Sequence, residues 1–295
     1  ALPFDDEPLL AWGSFKDSIA SDGWSYLSVH SNASQSNVLQ ARAAGFVEGA
    51  LTAQRIWEFA SNHMDQFSWS PKLRDYVCDN NKWMAEQIAA KTKSGKLEER
   101  LWWSQVKLIL EQQRGLFEGY TAHAAPGQEL TEEVILTLSM HSDMDPLCPL
   151  LGGCGPVNSS FSERGTPPPS APNRMKDHCS VIVKLVPEKN ELYTAHTTWT
   201  GYEDMTRVYK LYELPYSITR EKTVAGTNTV PGTSIAFSSY PGNVFSTDDW
   251  YTISSGLAVT ETTIDNHNTT LWQHVAPNTV LTWIRTMVAN RLAFD

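Results

Sequence analysis

The chain has 295 residues, of which 41% are hydrophobic and 19% charged, so it is not a disordered polypeptide and is long enough for one large or two ordinary domains. Its net charge of -10 argues against a broad nucleic-acid surface, because such surfaces need clustered Lys and Arg, and no nucleic-acid partner is expected. No apolar run reaches the roughly 18 residues of a membrane span, so no transmembrane segment is expected. Eleven tryptophans predict an aromatic core or an apolar cleft.

The first half of the chain has mainly helical patterns. Ser70 followed by Pro71 predicts a helix start, because Ser is a favoured N-cap and Pro is tolerated at the first helical position. Apolar residues at three- and four-residue spacing predict three further helices. These helices cover 39–60, 97–120 and 131–140. We therefore predict a mostly helical segment over residues 1–151.

A change of composition follows. Residues 152–178 are rich in Gly, Pro and Ser, which is typical of a linker or a domain boundary. Cys148 and Cys154 bracket a short loop at its start, and their spacing allows a disulfide. Either cysteine could instead pair with Cys179.

After the linker the apolar pattern alternates, which indicates strands. Two β-branched runs, 179–186 and 191–199, flank the turn cluster 187–190 and predict a β-hairpin. The remaining predicted elements are a helix over 203–214, strands over 234–240 and 250–263, and a last helix from Pro277. Helices followed mainly by strands indicate an α+β fold.

The hairpin suggests a nucleophilic site. Pairing residue 186 with 191 places Cys179 opposite Thr198 and Val181 opposite His196, so the thiol, the hydroxyl and the imidazole share one face. Cys179 and His196 are therefore candidate catalytic residues. The alternatives are a small core cysteine and a hydrogen-bonded structural histidine. A slip of one residue in the register would put His196 on the opposite face.

The remaining polar motifs point to the secretory pathway. N-x-S/T sequons make Asn32, Asn158 and Asn268 candidate glycosylation sites. The chain begins without Met or an apolar signal core, which is consistent with a removed targeting segment or a trimmed chain. The eight histidines are scattered and no C-x-x-C pair occurs, so neither a metal site nor a cofactor is expected.

Several runs resemble the phospholipase B-like family, the lamina-ancestor group of lysosomal proteins. The matching runs are HCSVIVKL at 178–185, AHTTW at 195–199, AAGFVEG at 43–49, SGL at 255–257, ETTI at 261–264 and VANRL at 288–292. They are spread over nearly the whole chain and together are quite specific.

The resemblance implies an N-terminal nucleophile hydrolase with an αββα sandwich, made as a precursor. Cleavage between His178 and Cys179 would free Cys179, whose thiol is the nucleophile. Its α-amino group would be the base, since such an amine titrates near neutral pH.

The same resemblance implies a substrate pocket beside the nucleophile. His196 and Trp199 belong to the matching motif, Thr198 lies between them, and Thr260 is next to another matching run. The hairpin pattern, however, places Trp199 on the face opposite Cys179.

Family members are nearly twice as long, so the resemblance implies that this chain is the first half of the sandwich. Residues 1–151 would form a helical segment, 152–178 a cleavable linker, and 179–295 the nucleophile hairpin with the start of the core. The missing C-terminal half would then be a partner of the chain.

The implied function is a lysosomal or secreted hydrolase that cleaves acyl ester or amide bonds of lipid-like substrates. One alternative is a papain-like hydrolase with a Cys179–His196 pair and no cleavage. Another is a non-catalytic, lipid-binding glycoprotein.

Overall fold

The computed structural model describes residues 9–63, 69–152, 178–218, 228–264 and 268–293. Within these ranges, none of the helices is both long and apolar enough to cross a membrane. The helices are α1 (Ile19–Asp22), α2 (Asn37–Leu51), α3 (Ala53–Asn62), α4 (Pro71–Ser94), α5 (Leu97–His123), α6 (Glu132–Ser139), α7 (His141–Leu150) and α8 (Thr282–Leu292). The strands are β1 (Ala11–Ser18), β2 (Trp24–Ser31), β3 (His178–Val186), β4 (Glu191–Trp199), β5 (Val208–Glu213), β6 (Ser234–Ser239), β7 (Trp250–Ile253) and β8 (Ala258–Thr260). These elements confirm the predicted α+β class.

The predicted start of α4 is confirmed, because the Ser70 side chain accepts a hydrogen bond from the Leu73 N–H at 3.1 Å. The last helix begins at Thr282 rather than at Pro277. The backbone before it is held by side chains of the helical layer, since the N–H groups of Thr279 and Thr282 donate to Asn80 and Asp143.

Helices α2 and α5 are in direct backbone contact. A Cβ atom built on Gly45 or Gly49 of α2 would overlap a carbonyl oxygen of α5, and one built on Gly115 or Gly119 would overlap a carbonyl oxygen of α2. Glycine is therefore required at this crossing by the close approach of the two backbones.

Six strands form a mixed sheet in the order β1-β2-β5-β6-β7-β8, and within the described residues β3 pairs only with β4. The β1–β2 hairpin was not predicted, and β2 runs parallel to β5. The predicted helix over 203–214 is wrong: after a short 3₁₀ turn the chain forms β5. Residues alternate between buried and half-buried along this strand, which is the period of a sheet covered more completely on one face.

The two faces of β5 show how the helices, the six-stranded sheet and the β3–β4 hairpin are stacked. Lys210 and Tyr212 are buried on the face that meets the helices, where both side chains reach Glu48 of α2. Tyr209 lies on the other face, in a cavity wall shared with residues of β4. The hairpin β3–β4 therefore covers the face of the sheet that is turned away from the helices.

Candidate functional site in the hairpin

The register predicted for the hairpin is confirmed. Cys179 pairs with Thr198, Val181 with His196, and Val186 with Glu191. Asn190 closes the connection with a left-handed φ of 52°, a conformation that Asn tolerates.

The two faces of the hairpin differ in burial. Cys179, His196 and Thr198 are half-buried on the face turned to the large sheet. Trp199 lies on the outer face with 49% of its surface exposed, as the alternation predicted and contrary to a role for its side chain in a pocket on the inner face. Strand alternation thus brings the thiol, the imidazole and the Thr198 hydroxyl to one surface.

Two hydrogen bonds fix this face to the loops around β7 and β8. Nε2 of His196 is 2.9 Å from the carbonyl oxygen of Glu261, so Nε2 carries the proton and donates. The Thr198 hydroxyl donates to the carbonyl oxygen of Asp248 at 3.3 Å. The imidazole is therefore oriented by Glu261.

The electrostatic surroundings of Cys179 are acidic. Burial, followed by the charges of Asp249 and Glu261, raises the pKa of its thiol, although a backbone hydrogen bond at Trp199 acts in the opposite direction. Its thiol is free, as is that of Cys78. In the uncut chain the sulfur is thus a protonated thiol at neutral pH.

Sequence reasoning missed the carboxyl groups in this region. Burial, followed by the charge of Glu261 and a side-chain hydrogen bond with it, raises the pKa of Asp249 to about 8. Burial also raises the pKa of Asp248, whose carboxylate accepts a hydrogen bond from Tyr240 at 2.6 Å. Asp249 has a φ of 55°, which is unusual for a non-glycine residue. The Asp248-Asp249 pair directly before a strand was the available sequence signal.

A cavity of about 540 Å³ lies between the hairpin and the sheet. His196 and Thr198 line it, whereas Cys179, opposite Thr198, is not part of its wall. Thr260 lies instead in a neighbouring cavity of about 320 Å³. Of the predicted pocket residues, only His196 and Thr198 thus meet in the larger cavity.

A buried histidine supports the far wall of this cavity. Nε2 of His63 is 3.0 Å from the carboxylate of Asp204, which also accepts a hydrogen bond from Thr200. Asp204 and Thr200 both line the cavity, whereas His63 is 1% exposed and lies behind them. Burial opposes protonation of His63, but the hydrogen bonds to Asp204 and to the Phe59 carbonyl raise its pKa. Burial likewise opposes ionisation of Asp204, yet the hydrogen bond from His63 lowers its pKa.

Several predicted sites fall at or beyond the limits of the described ranges. His178 is the first residue of β3, which places the predicted cleavage point where the strand begins. Cys154 and Asn158 lie outside the described residues, so the Cys148–Cys154 disulfide and the glycan at Asn158 stay predictions.

The two described sequons also stay predictions. The side-chain nitrogen of Asn32, where a glycan would be attached, donates to the Leu9 carbonyl at 3.0 Å. Asn268 is exposed and its side-chain oxygen accepts from Thr270. Among the residues that the structure describes, no group of three or more His, Cys, Asp or Glu could hold a metal ion.

Comparison with known proteins places these features in one family. The sequence model of the family described as Phospholipase B matches residues 11–295. The chain is 33% identical to putative phospholipase B-like 2 of Bos taurus over 97% of its own length and 47% of that protein. It is 30% identical to phospholipase B-like protein B of Dictyostelium discoideum over 98% of its own length and 48% of that protein. The chain thus spans about half the length of these relatives.

Proposed function

Because the chain belongs to the phospholipase B family, we propose that it is the nucleophile-bearing part of a hydrolase that cleaves acyl ester or amide bonds of lipid-like substrates. Cleavage between His178 and Cys179 would activate it in the lysosomal lumen or after secretion. The observation that carries the proposal is the position of Cys179 near the start of β3, on the same inner face as His196 and Thr198.

The charges around Cys179 support a requirement for cleavage. In the intact chain, Asp249 and Glu261 disfavour the thiolate. Cleavage would add an α-amino group on the same residue, and this amine titrates near pH 8. Once protonated it offsets the neighbouring carboxylates, so the amine can serve as both base and counter-charge for the sulfur.

The proposed chemistry follows from this pair of groups. In activation, the Cys179 thiol attacks the His178 carbonyl carbon, the peptide bond to the Cys179 nitrogen breaks, and water hydrolyses the resulting thioester. In turnover, the free α-amine takes the thiol proton and the thiolate attacks the substrate acyl carbon. The ammonium then returns a proton to the leaving alcohol or amine. Water, deprotonated by the same amine, releases the acid and restores the thiol.

The acyl group carried by Cys179, which lies outside the cavity wall but opposite Thr198, would extend past Thr198 into the larger cavity. Its wall includes Trp24, Tyr209 and Trp250, whose rings give an apolar surface beside the polar side chains of His196 and Thr198. We further propose that the missing C-terminal half completes the αββα sandwich. The hairpin supports this, because Ile182, Leu185 and Leu192 on it are each more than 60% exposed.

The papain-like alternative is less well supported. In a Cys–His pair the imidazolium lowers the pKa of the thiol, whereas burial and the charges of Asp249 and Glu261 raise the pKa of the Cys179 thiol. In a non-catalytic role the cavity would bind lipid, and no cleavage before Cys179 would be required.

Self-cleavage provides the decisive experiment. The precursor that contains this chain is purified, shifted to about pH 5 and followed by reducing gel electrophoresis and N-terminal sequencing. Acyl hydrolysis by the product is then assayed from about pH 5 to about pH 8, over which the α-amine loses its proton. We expect a new chain that begins at Cys179, together with acyl hydrolysis. Cys179→Ala should abolish both, whereas the matched control Cys78→Ala should abolish neither.

Other results would contradict the proposal in distinct ways. An uncut protein that hydrolyses acyl substrates, and loses this activity in His196→Ala, would favour the papain-like pair. A precursor that stays uncut and inactive at every pH tested would leave the non-catalytic role.

A further inference from the structure

One cationic side chain lines the larger cavity without an anionic partner. Arg207 supplies the only Lys or Arg among the described residues of the cavity wall. No carboxylate of the described chain lies within ion-pair distance of its guanidinium. An arginine in a concave, partly apolar wall marks a place where an anion can be recognised.

The guanidinium is held in place by its surroundings. Its central carbon is 4.7 Å from the centroid of the Trp24 ring, so the side chain lies over that ring in a cation–π contact. The Arg207 carbonyl oxygen accepts a hydrogen bond from Ser25 at 2.9 Å, which joins its backbone to β2. A guanidinium oriented in this way loses little further conformational entropy when it binds a ligand.

Its hydrogen-bonding capacity is only partly used. Nε of Arg207 is buried and, among the described residues, has no hydrogen-bond partner. This N–H is enclosed by the protein, so a ligand in the cavity would meet the terminal Nη groups of the half-buried side chain. Because these two groups donate in one plane, the matching acceptor has two oxygen atoms on one anionic centre.

The two carboxylates in the same wall do not supply this acceptor. Asp204 is committed to His63 and Thr200. Asp248 accepts from the Tyr240 hydroxyl. Each acidic group is therefore compensated by its own partners, and the charge of Arg207 remains for a ligand.

We propose that Arg207 anchors the phosphodiester group of a phospholipid substrate in this cavity. The assignment rests on the proposed function, which supplies the lipid-like substrate class. A fatty-acid carboxylate has the same two-oxygen chemistry. The phosphodiester is favoured because it stays in place while the acyl ester bond is broken, so one anchor serves both the substrate and its lyso product.

Binding without turnover tests the anchor separately from catalysis. The Cys179→Ala chain is titrated in separate experiments, with cavity tryptophan fluorescence as the readout. The four probes are monomeric dihexanoylphosphatidylcholine, uncharged dihexanoylglycerol, hexanoate and inorganic phosphate. We expect Arg207→Gln to weaken binding of the phosphatidylcholine by about 10- to 100-fold, because the variant loses one or two charged hydrogen bonds. Binding of dihexanoylglycerol should be unchanged. Arg285→Gln is the matched control, since Arg285 is exposed on α8.

Each other outcome overturns the proposal. Equal phosphatidylcholine affinity in Arg207→Gln, or equal losses for the charged and uncharged lipids, would remove the phosphate anchor. Arg207-dependent binding of hexanoate or inorganic phosphate, without any for phosphatidylcholine, would replace the phosphodiester by another anion.

Folding is controlled by thermal melting of each variant. If Arg207→Gln fails to fold, Arg207→Lys is used instead, because it keeps the charge and loses the fork. Its phosphatidylcholine affinity should then fall below that of the parent, and equal affinity would refute the anchor. None of these outcomes depends on whether the chain cleaves itself.

Discussion

The ion pair behind the cavity should make stability depend on pH in an acidic window. His63 is 1% exposed and Asp204 6%, and the two ring nitrogens of His63 face the Asp204 carboxylate and the Phe59 carbonyl at 3.0 and 2.8 Å. Both partners only accept hydrogen bonds. The doubly protonated imidazolium is therefore the form of His63 that satisfies the site.

The sign of the effect follows from the direction of each pKa shift. The pKa of His63 is raised from 6.5, so its stabilisation is complete below 6.5 and is lost as the pH rises through the folded value. The pKa of Asp204 is lowered from 3.8, so its stabilisation is present above 3.8 and is lost as the pH falls through the folded value. The pair contributes most between about pH 4 and 6.5.

We expect His63→Gln to destabilise the protein more at acidic pH than at alkaline pH. Near pH 5 it removes one member of a buried ion pair, at a cost of about 3–5 kcal/mol. At an alkaline pH above its raised pKa the imidazole has lost its charge, and the change removes an ordinary hydrogen bond of about 1 kcal/mol. The cost should thus differ by about 2–4 kcal/mol between the two conditions.

Urea unfolding of the variant and the parent at both pH values measures this difference directly. Comparing the two proteins cancels the titration of groups that they share, including Asp248 and Asp249. His274→Gln is the matched control, because His274 is exposed, and it should cost little at either pH. A cost for His63→Gln that is equal at both pH values, or larger at the alkaline pH, would refute the reasoning.

Three further predictions concern buried and half-buried titratable groups. Lys210→Met should lower the free energy of unfolding in urea by about 3–5 kcal/mol, because it leaves the Glu48 carboxylate buried without its cation. In the parent the Lys210 nitrogen lies 2.7 Å from that carboxylate. A loss below about 1 kcal/mol would mean that water or another group compensates Glu48. In a Cys78→Ser background, iodoacetamide labelling of Cys179 in the uncut chain should become fast only above pH 9. The reason is that the pKa of the Cys179 thiol is raised above the ordinary thiol value of 9.0, and only the thiolate reacts. Above about pH 8 Asp249 is ionised in the parent, so Asp249→Asn should shift the curve of labelling rate against pH to lower pH. Identical curves would show that the charge of Asp249 does not affect the pKa of the thiol.

The hairpin could be predicted from sequence because its signal is local. The β-branched runs on either side of a short turn determine the register, and the alternation of side chains then determines which residues share a face with Cys179. The same alternation placed Trp199 on the outer face, where the structure has it.

The carboxyl groups and the fold of β5 depend on contacts distant in sequence. Asp249 and Glu261 come together only when β7 and β8 pair, so no local pattern marks them as one electrostatic unit. Lys210 gives β5 the appearance of an amphipathic helix, because a lysine is rarely expected inside a core. Its partner, Glu48, is supplied by a helix 162 residues earlier in the chain.

The crossing of α2 and α5 has a further consequence for the cavity. Since backbone touches backbone at the four glycines, the spacing of the two helices is independent of side-chain volume. Glu48 lies on α2 between two of these contacts and holds Lys210, whose neighbour Tyr209 lines the cavity. The Glu48–Lys210 ion pair thus ties the position of Tyr209 in the cavity wall to the spacing between α2 and α5. Substitutions elsewhere on the two helices leave that spacing unaltered.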